Sequence, residues 1–341
     1  MVRTGANSYL QYDFETTFGG GELSTPNFKA FGLQQKVSSW SLNNSKKTLA
    51  QLCSIEPTDY AYGKQTGSIG IDFVLSEPWM FGLLFGAPTY SAAPTPNTFT
   101  YDISSGETAV RSAMIEVGFE GETGSVTRRM EGSILNSLNI SANVDDLVNC
   151  SCDFQYGKEA LLTTDTVTQG STHTDNYAKA SNLTATTNFP YTFAHAELKY
   201  NGGTVAQVQS ADITFTQGAN LLYGLDDAQA VSSYRQLFEI TGRFQASMVD
   251  HTYLDDLLAQ IGKDTATTVD REQASIEMVF TNGLTSTNER TITITLSDIG
   301  IESHNVSGIE PVEPVFEEIT WQAKSCVIVA ENEDTAEKAG S

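Results

Sequence analysis

The sequence predicts a mainly β protein arranged as two tandem units, each made of strands, a short helix and further strands. Three observations carry this. The 341 residues are rich in Thr, Ser, Gly and Asn, 10% are aromatic, and only 18% are Asp, Glu, Lys or Arg, a balance that suits pleated strands better than helices. Many short segments alternate apolar and polar residues with period two. One strand-and-helix phrase is written twice, as "TGSIGIDFVLSEPWMFGLLFG" (66–86) and "TGRFQASMVDHTYLDDLLAQIG" (241–262).

In the first copy Ile69, Ile71, Phe73 and Leu75 share one strand face; in the second, Phe244, Ala246 and Met248 do. The phase after each Thr-Gly pair is the same. A short helix follows each strand. Ser76 is expected to cap the first, with Pro78 in its first turn, Trp79, Met80, Leu83 and Leu84 on the inner face, and Gly86 as its stop. Asp250 is expected to cap the second, whose inner face carries Tyr253, Leu254, Leu257, Leu258 and Ile261, and Gly262 ends it. Upstream, "SSWSLNNS" (38–45) has the beat of "ADITFTQG" (211–218), with Trp40 and Leu42 answered by Ile213 and Phe215. Downstream, "SAMIEVGFEGETG" (112–124) is answered by "ASIEMVFTNGLTS" (274–286), and each half closes with further strands. The order of these echoes reads as a tandem duplication.

Between its first strand and its Thr-Gly strand, each half makes a long excursion, 44–65 and 218–240. Excursions of this length usually have a task. Leu49, Leu52, Tyr60 and Tyr62 in the first, and Leu221, Leu222, Tyr223, Tyr234, Leu237 and Phe238 in the second, suit docking on another surface, packing back onto their own domain being the alternative. The boundaries that follow are a first domain over 1–159, a polar Thr-rich linker or insertion over 160–190, a second domain over 191–330 and an acidic, disordered tail over 331–341.

The formal charge of −23 and pI near 4.4 argue against a sequence-independent grip on nucleic acid, which requires a Lys/Arg patch. A wall that DNA slides past would suit this sign; a halophilic origin and ordinary solubility are further readings. No nucleotide, hydrolase or metalloprotease fingerprint occurs. Cys53, Cys150, Cys152 and Cys326 match no zinc or redox spacing and read as packed thiols, a disulfide being the weaker alternative. Of four histidines, His173, His195, His251 and His304, only His251 falls in a well-defined element. The acidic doublets, Glu317-Glu318 among them, place their carboxyls on opposite strand faces. Catalytic, cofactor and metal sites are therefore not expected. The five N-x-S/T sequons arise readily by chance in a chain of this composition, and no apolar run reaches the length of a membrane helix. Lys46-Lys47 and Arg128-Arg129 are the basic doublets, read as surface charge or as partners for acidic patches on neighbouring copies.

"YLQYDFETTFGG" (9–20), the 66–88 unit, and "RRMEGSILNSLNIS" followed by "CSCDFQYGK" (128–158) resemble major tail tube proteins of long-tailed phages and archaeal tailed viruses. The resemblance implies β-sandwich or barrel domains, each with a short flanking α-helix, joined with neighbouring domains into a barrel around a DNA channel. It implies a virion location in the tail, assembly in the host cytoplasm, and tail terminator, tape measure and baseplate or tip proteins as partners, with DNA only in transit. It also implies that the long loops, here 44–65 and 218–240, reach toward the adjacent ring. The family's usual single domain forms hexameric rings, so two fused domains imply a trimer with pseudo-sixfold symmetry, a hexamer being the competing assembly. A tail without a contractile sheath is the weaker preference. A two-domain receptor- or carbohydrate-binding module is the alternative function.

Overall fold

Alternation of period two becomes strand along most of the chain in the computed structural model, which describes residues 8–20, 28–49, 56, 59–92, 96–103, 111–119, 126–162, 190–260, 274–284, 289–310 and 314–332. The first half contributes β1 (Ser8–Phe14), β2 (Leu33–Leu49), β3 (Asp59–Val74), α1 (Gly82–Phe85), β4 (Thr89–Ser91), β5 (Asn97–Asp102), β6 (Ala113–Phe119), β7 (Val126–Asn143), β8 (Asn149–Tyr156) and β9 (Lys158–Leu162). The second contributes β10 (Ala196–Tyr200), β11 (Gly203–Thr204), β12 (Val208–Thr216), β13 (Asn220–Tyr223), β14 (Ala230–Tyr234), β15 (Glu239–Ser247), α2 (Thr252–Gln260), β16 (Ala274–Thr281), β17 (Thr291–Ser307) and β18 (Phe316–Asn332).

All but β13 and β14 belong to one sheet, whose main path runs β2-β3-β8-β7-β12-β15-β18-β17 and then folds on through β16, β10 and β11. Every pairing along it is antiparallel, so inward and outward residues alternate on each strand. Ile69, Ile71 and Phe73 of β3, Cys150, Cys152 and Phe154 of β8, Leu138 and Ile140 of β7, Ile213 and Phe215 of β12, Phe244 of β15, and Ile319 and Trp321 of β18 are all buried. β6 pairs with β1 and β7 and returns over this face in the first half, as β16 does in the second through β10 and β17.

The repeated Thr-Gly pair has a packing reason. Gly67 lies under the ring of Tyr156 and Gly242 under the ring of Trp321, each on the neighbouring strand, and a Cβ at either glycine would overlap that ring. A strand glycine here marks a close approach, not a bulge.

The two halves interlock. Ser137–Asn143 of β7 pairs with Ser210–Thr216 of β12, making one ladder across the junction. The far end of β18, Val327–Asn332, pairs with β5 of the first half. The helix α1 is built into the second half as well: Gln217 donates to the Leu83 carbonyl at 2.7 Å and Arg235 to the Leu84 carbonyl at 2.5 Å. Phe85 packs edge-on to Phe215 with ring centroids 5.8 Å apart. Arg290 reaches Glu77 at 3.1 Å, both side chains nearly buried.

The helices differ from expectation at one end. Ser76 does not cap α1: a 3-10 turn at Trp79–Phe81 begins after Pro78 with no side-chain cap, which leaves the Ser76 hydroxyl too far upstream to reach it. Trp79, Met80, Leu83 and Leu84 are fully buried, and Gly86, at φ 88°, closes the helix by donating to the Gly82 carbonyl. Asp250 accepts from the Thr252 amide at 2.9 Å at the start of α2. Tyr253 is buried between Tyr200 and Phe244, while Leu254, Leu257 and Leu258 are half-buried; Ile261 and Gly262 lie outside the described residues. So do residues 163–189 of the expected linker and 333–341 of the expected tail; β18 extends two residues into the latter, through Glu331 and Asn332.

Candidate assembly surfaces

The main path leaves two strands open. β2 pairs only with β3, and its other edge, seventeen residues of mostly exposed backbone, carries no partner among the described residues. At the other end, β17 pairs with β16 only as far as Ile299, so among the described residues 300–307 have β18 as their one strand partner. Gln260 covers the first of these positions, donating to the Ile299 carbonyl at 3.2 Å and accepting from the Ile301 amide at 2.9 Å. Long open edges attract other strands and are normally blunted or paired. β7 shows the paired condition inside the chain: its first half pairs with β6 and its last residues with β12.

Between the two edges the outward face of the path is polar. Ser41 bonds Ser68 at 2.8 Å, Ser151 bonds Asp72 at 2.9 Å, Ser137 bonds Asp153 at 3.1 Å, and Asn139 bonds Thr214 at 2.9 Å. Arg243 sits between Asp212 at 2.8 Å and Glu318 at 3.9 Å. Short hydroxyls and amides engaged with each other, with carboxylates spaced among them, make a wet face with little apolar grip. Glu318 lies on this face, whereas its neighbour Glu317 points inward and is buried.

The two excursions have different fates. In the first, β2 and β3 continue past the body of the sheet as a two-stranded arm. Lys46 and Lys47 are exposed on it, Lys46 lies 3.5 Å from the centre of the Tyr60 ring, and Leu49, Tyr60 and Tyr62 are exposed, Tyr62 at 70%; Leu52 lies outside the described residues. In the second, β13 and β14 form a hairpin that folds back on the root of that arm. Gln65 donates to the Ala228 carbonyl at 2.7 Å and accepts from the Tyr223 hydroxyl at 2.7 Å, and the Ala230 amide reaches the Gly157 carbonyl at 3.3 Å. Leu221 and Tyr223 are half-buried, Leu222, Tyr234 and Leu237 stay exposed, and Phe238 packs on Phe85 and Phe215.

Two expectations about charge need correction. Arg128 and Arg129 are satisfied within the chain: Arg129 is buried against Glu116 at 2.8 Å, and Arg128 pairs with Glu159 while stacking on Trp40 at 3.7 Å. Their strand lies between β6 and β9, where alternate residues must face inward, so one arginine of an adjacent pair is carried into the interior with its carboxylate. His304 also falls in a defined element, β17, where its Nε2 is 2.9 Å from a Glu317 oxygen and both side chains are nearly buried. Neither pairing is visible in sequence, because the partners come from different strands. Burial pushes the thiols of Cys150, Cys152 and Cys326 well above their ordinary range, and all three are free. Among the described residues no three His, Cys, Asp or Glu side chains converge as metal ligands, and no helix is long and apolar enough to cross a membrane.

A sheet in which β2 and the last residues of β17 each lack a second strand partner among the described residues, with a polar face between them, suits a β protein that polymerises by joining sheets edge to edge. The chain belongs to the phage tail tube protein family, whose model matches residues 5–323. None of the curated proteins searched matches it. It is a structural protein of the virion, located in the tail, where it forms the tube.

Proposed function

We propose that the chain is two fused tube domains and that three chains close each ring of the tube. The observation that supports this is the strand order: β2-β3-β8-β7 and then β12-β15-β18-β17 follow one another, joined by the β7–β12 ladder. In this reading the same kind of ladder forms between chains, the free end of β17 of one copy receiving β2 of the next, so each open edge finds a partner. Three chains then give six domains, and covalent and non-covalent junctions alternate around the ring. The polar face from β2 to β17 lines the lumen, where Asp72, Asp153, Asp212 and Glu318 discourage phosphate from settling. The chain acts as a wall, without catalysis, and partners other tail proteins at the tube's ends.

Cryo-electron microscopy of assembled tubes tests this directly. Three chains per ring, with β17 and β2 laddered across each chain boundary, is the expected map. Six chains per ring, with the second half of each outside the barrel, is the map that rejects it.

A further inference from the structure

Resting on the reading that β17 of one chain receives β2 of the next, we infer that Asn43 lies directly opposite Ser307 of the neighbouring copy and that the hydrogen bond between their side chains fixes the register of the seam. β2 offers seventeen residues to an incoming edge, and a slip of two keeps every side chain on its proper face. Something other than alternation therefore chooses the register.

The junction inside the chain supplies the frame. Gly67 under Tyr156 and Gly242 under Trp321 mark the same point of the two halves. Ser151 and Phe316 stand equally far back from those rings along β8 and β18, and their partners on β7 and β17 are Asn139 and Ser307. Opposite the two glycines stand Leu42 of β2 and Ile213 of β12, which makes Asn43 the counterpart of Thr214. Asn139 and Thr214 are themselves paired, the Asn139 amide donating to the Thr214 hydroxyl at 2.9 Å. Carried to the seam between chains, this register sets Ser307 against Asn43, a hydroxyl and an amide once more with their places exchanged. The frame differs by a two-residue slip from the sequence echo, which matches Leu42 to Phe215 and sets Ser307 against Ser41.

The limits of the free edge agree with this frame. On β7, pairing with β6 stops at Ser133, the Glu15 carboxylate accepts from the Gly132 amide at 2.9 Å, and the β12 ladder begins at Ser137. On β17, pairing with β16 stops at Ile299, and the Gln260 carboxamide takes the Ile299 carbonyl and the Ile301 amide. In each half a side chain closes the gap between two ladders, and beyond Gln260 the second ladder is the one that the next chain supplies.

Large apolar pairs do not fix this seam. Leu138 against Phe215 and Ile140 against Ile213 are buried within the chain, whereas the corresponding places between chains hold Val306 against Asn44 and Gly308 against Leu42. Val306 and Leu42 are 38% and 39% exposed in the single chain, and neither meets an apolar partner of its own size. The choice of register falls to the polar pair on the opposite face.

The test uses assembled tubes of the full-length chain carrying Cys53→Ser. Asn43→Cys with Ser307→Cys is expected to join neighbouring chains by disulfides around each ring, since directly opposite strand positions lie within disulfide reach. Asn139→Cys with Thr214→Cys, the matching pair inside one chain, is the positive control. Ser41→Cys with Ser307→Cys is expected to cross-link roughly tenfold less, its members lying two residues out of step along the strand. As a readout without thiols, Asn43→Ala is expected to raise the concentration at which rings close about fivefold, and the exchange Asn43→Ser with Ser307→Asn to return it to the wild-type value. Preferential linkage of the Ser41 variant, or ring closure unchanged by Asn43→Ala, overturns the register and leaves the edge-to-edge reading standing. Tubes in which neither pair links, although the control does, reject that reading and the inference with it.

Discussion

Gly67 and Gly242 carry the repeat at the scale of single residues. Each leaves room for an aromatic ring from the adjacent strand, Tyr156 or Trp321, and the Tyr156 hydroxyl in turn accepts from Trp40 at 3.1 Å and donates to the Ser41 carbonyl at 2.9 Å. Alanine at either glycine must displace a ring held on all sides, and each substitution is expected to lower stability by about 1–3 kcal/mol, read as a shift in denaturation midpoint. Glu15 offers a pH test. Burial raises its pKa above the ordinary carboxyl range, against the opposing pull of hydrogen bonds from Ser112 and the amides of Gly132 and Gly19. Because its folded value lies above its unfolded one, its favourable contribution is complete at low pH and is lost as pH rises through the folded value. Urea denaturation of wild type and Glu15→Gln at a series of pH values should therefore show the difference moving in favour of Gln as pH rises from about 4. A pH-independent difference would remove the argument.

At the scale of elements, the strands were legible in sequence because a half-buried strand writes its two faces alternately, and β3, β12, β16 and β17 do so plainly. The fates of the excursions were not legible. Leu49 and Tyr62 resemble Tyr223 and Phe238 as residue types, and only the register of β2 against β3, and the bond from Tyr223 to Gln65, separates a projecting arm from a brace. The inward turn of Arg129 was hidden for a similar reason: an adjacent arginine pair does not say which member faces Glu116. Trp40 ties the root of the arm to the body, stacking between Arg128 and Phe119 and bonding Tyr156. Trp40→Ala is expected to cost about 2 kcal/mol and to raise hydrogen exchange in β2 beyond the rest of the sheet. Equal protection of β2 in both proteins would show that the tie is unimportant.

At the scale of the whole molecule, the sequence conveyed the acidic balance but not its placement, since Asp72, Asp153, Asp212 and Glu318 reach one face only through strand order. If that face lines the lumen, Asp72→Lys with Asp153→Lys should leave tube yield unchanged and cause purified tubes to retain double-stranded DNA at low salt, releasing it as salt rises. Tubes that remain indifferent to DNA at low salt would place this face elsewhere.

The β7–β12 ladder also bears on how a ring starts. Seven residue pairs join the halves of every chain, from Ser210 against Asn143 to Thr216 against Ser137, and they form at the effective concentration of one polypeptide, independent of how much protein the cell has made. Only the remaining junctions draw on mass action. If three such two-domain chains close a ring, as proposed, it nucleates at lower subunit concentration than one built from six separate domains, and a gap of a single domain is not among the errors it can make.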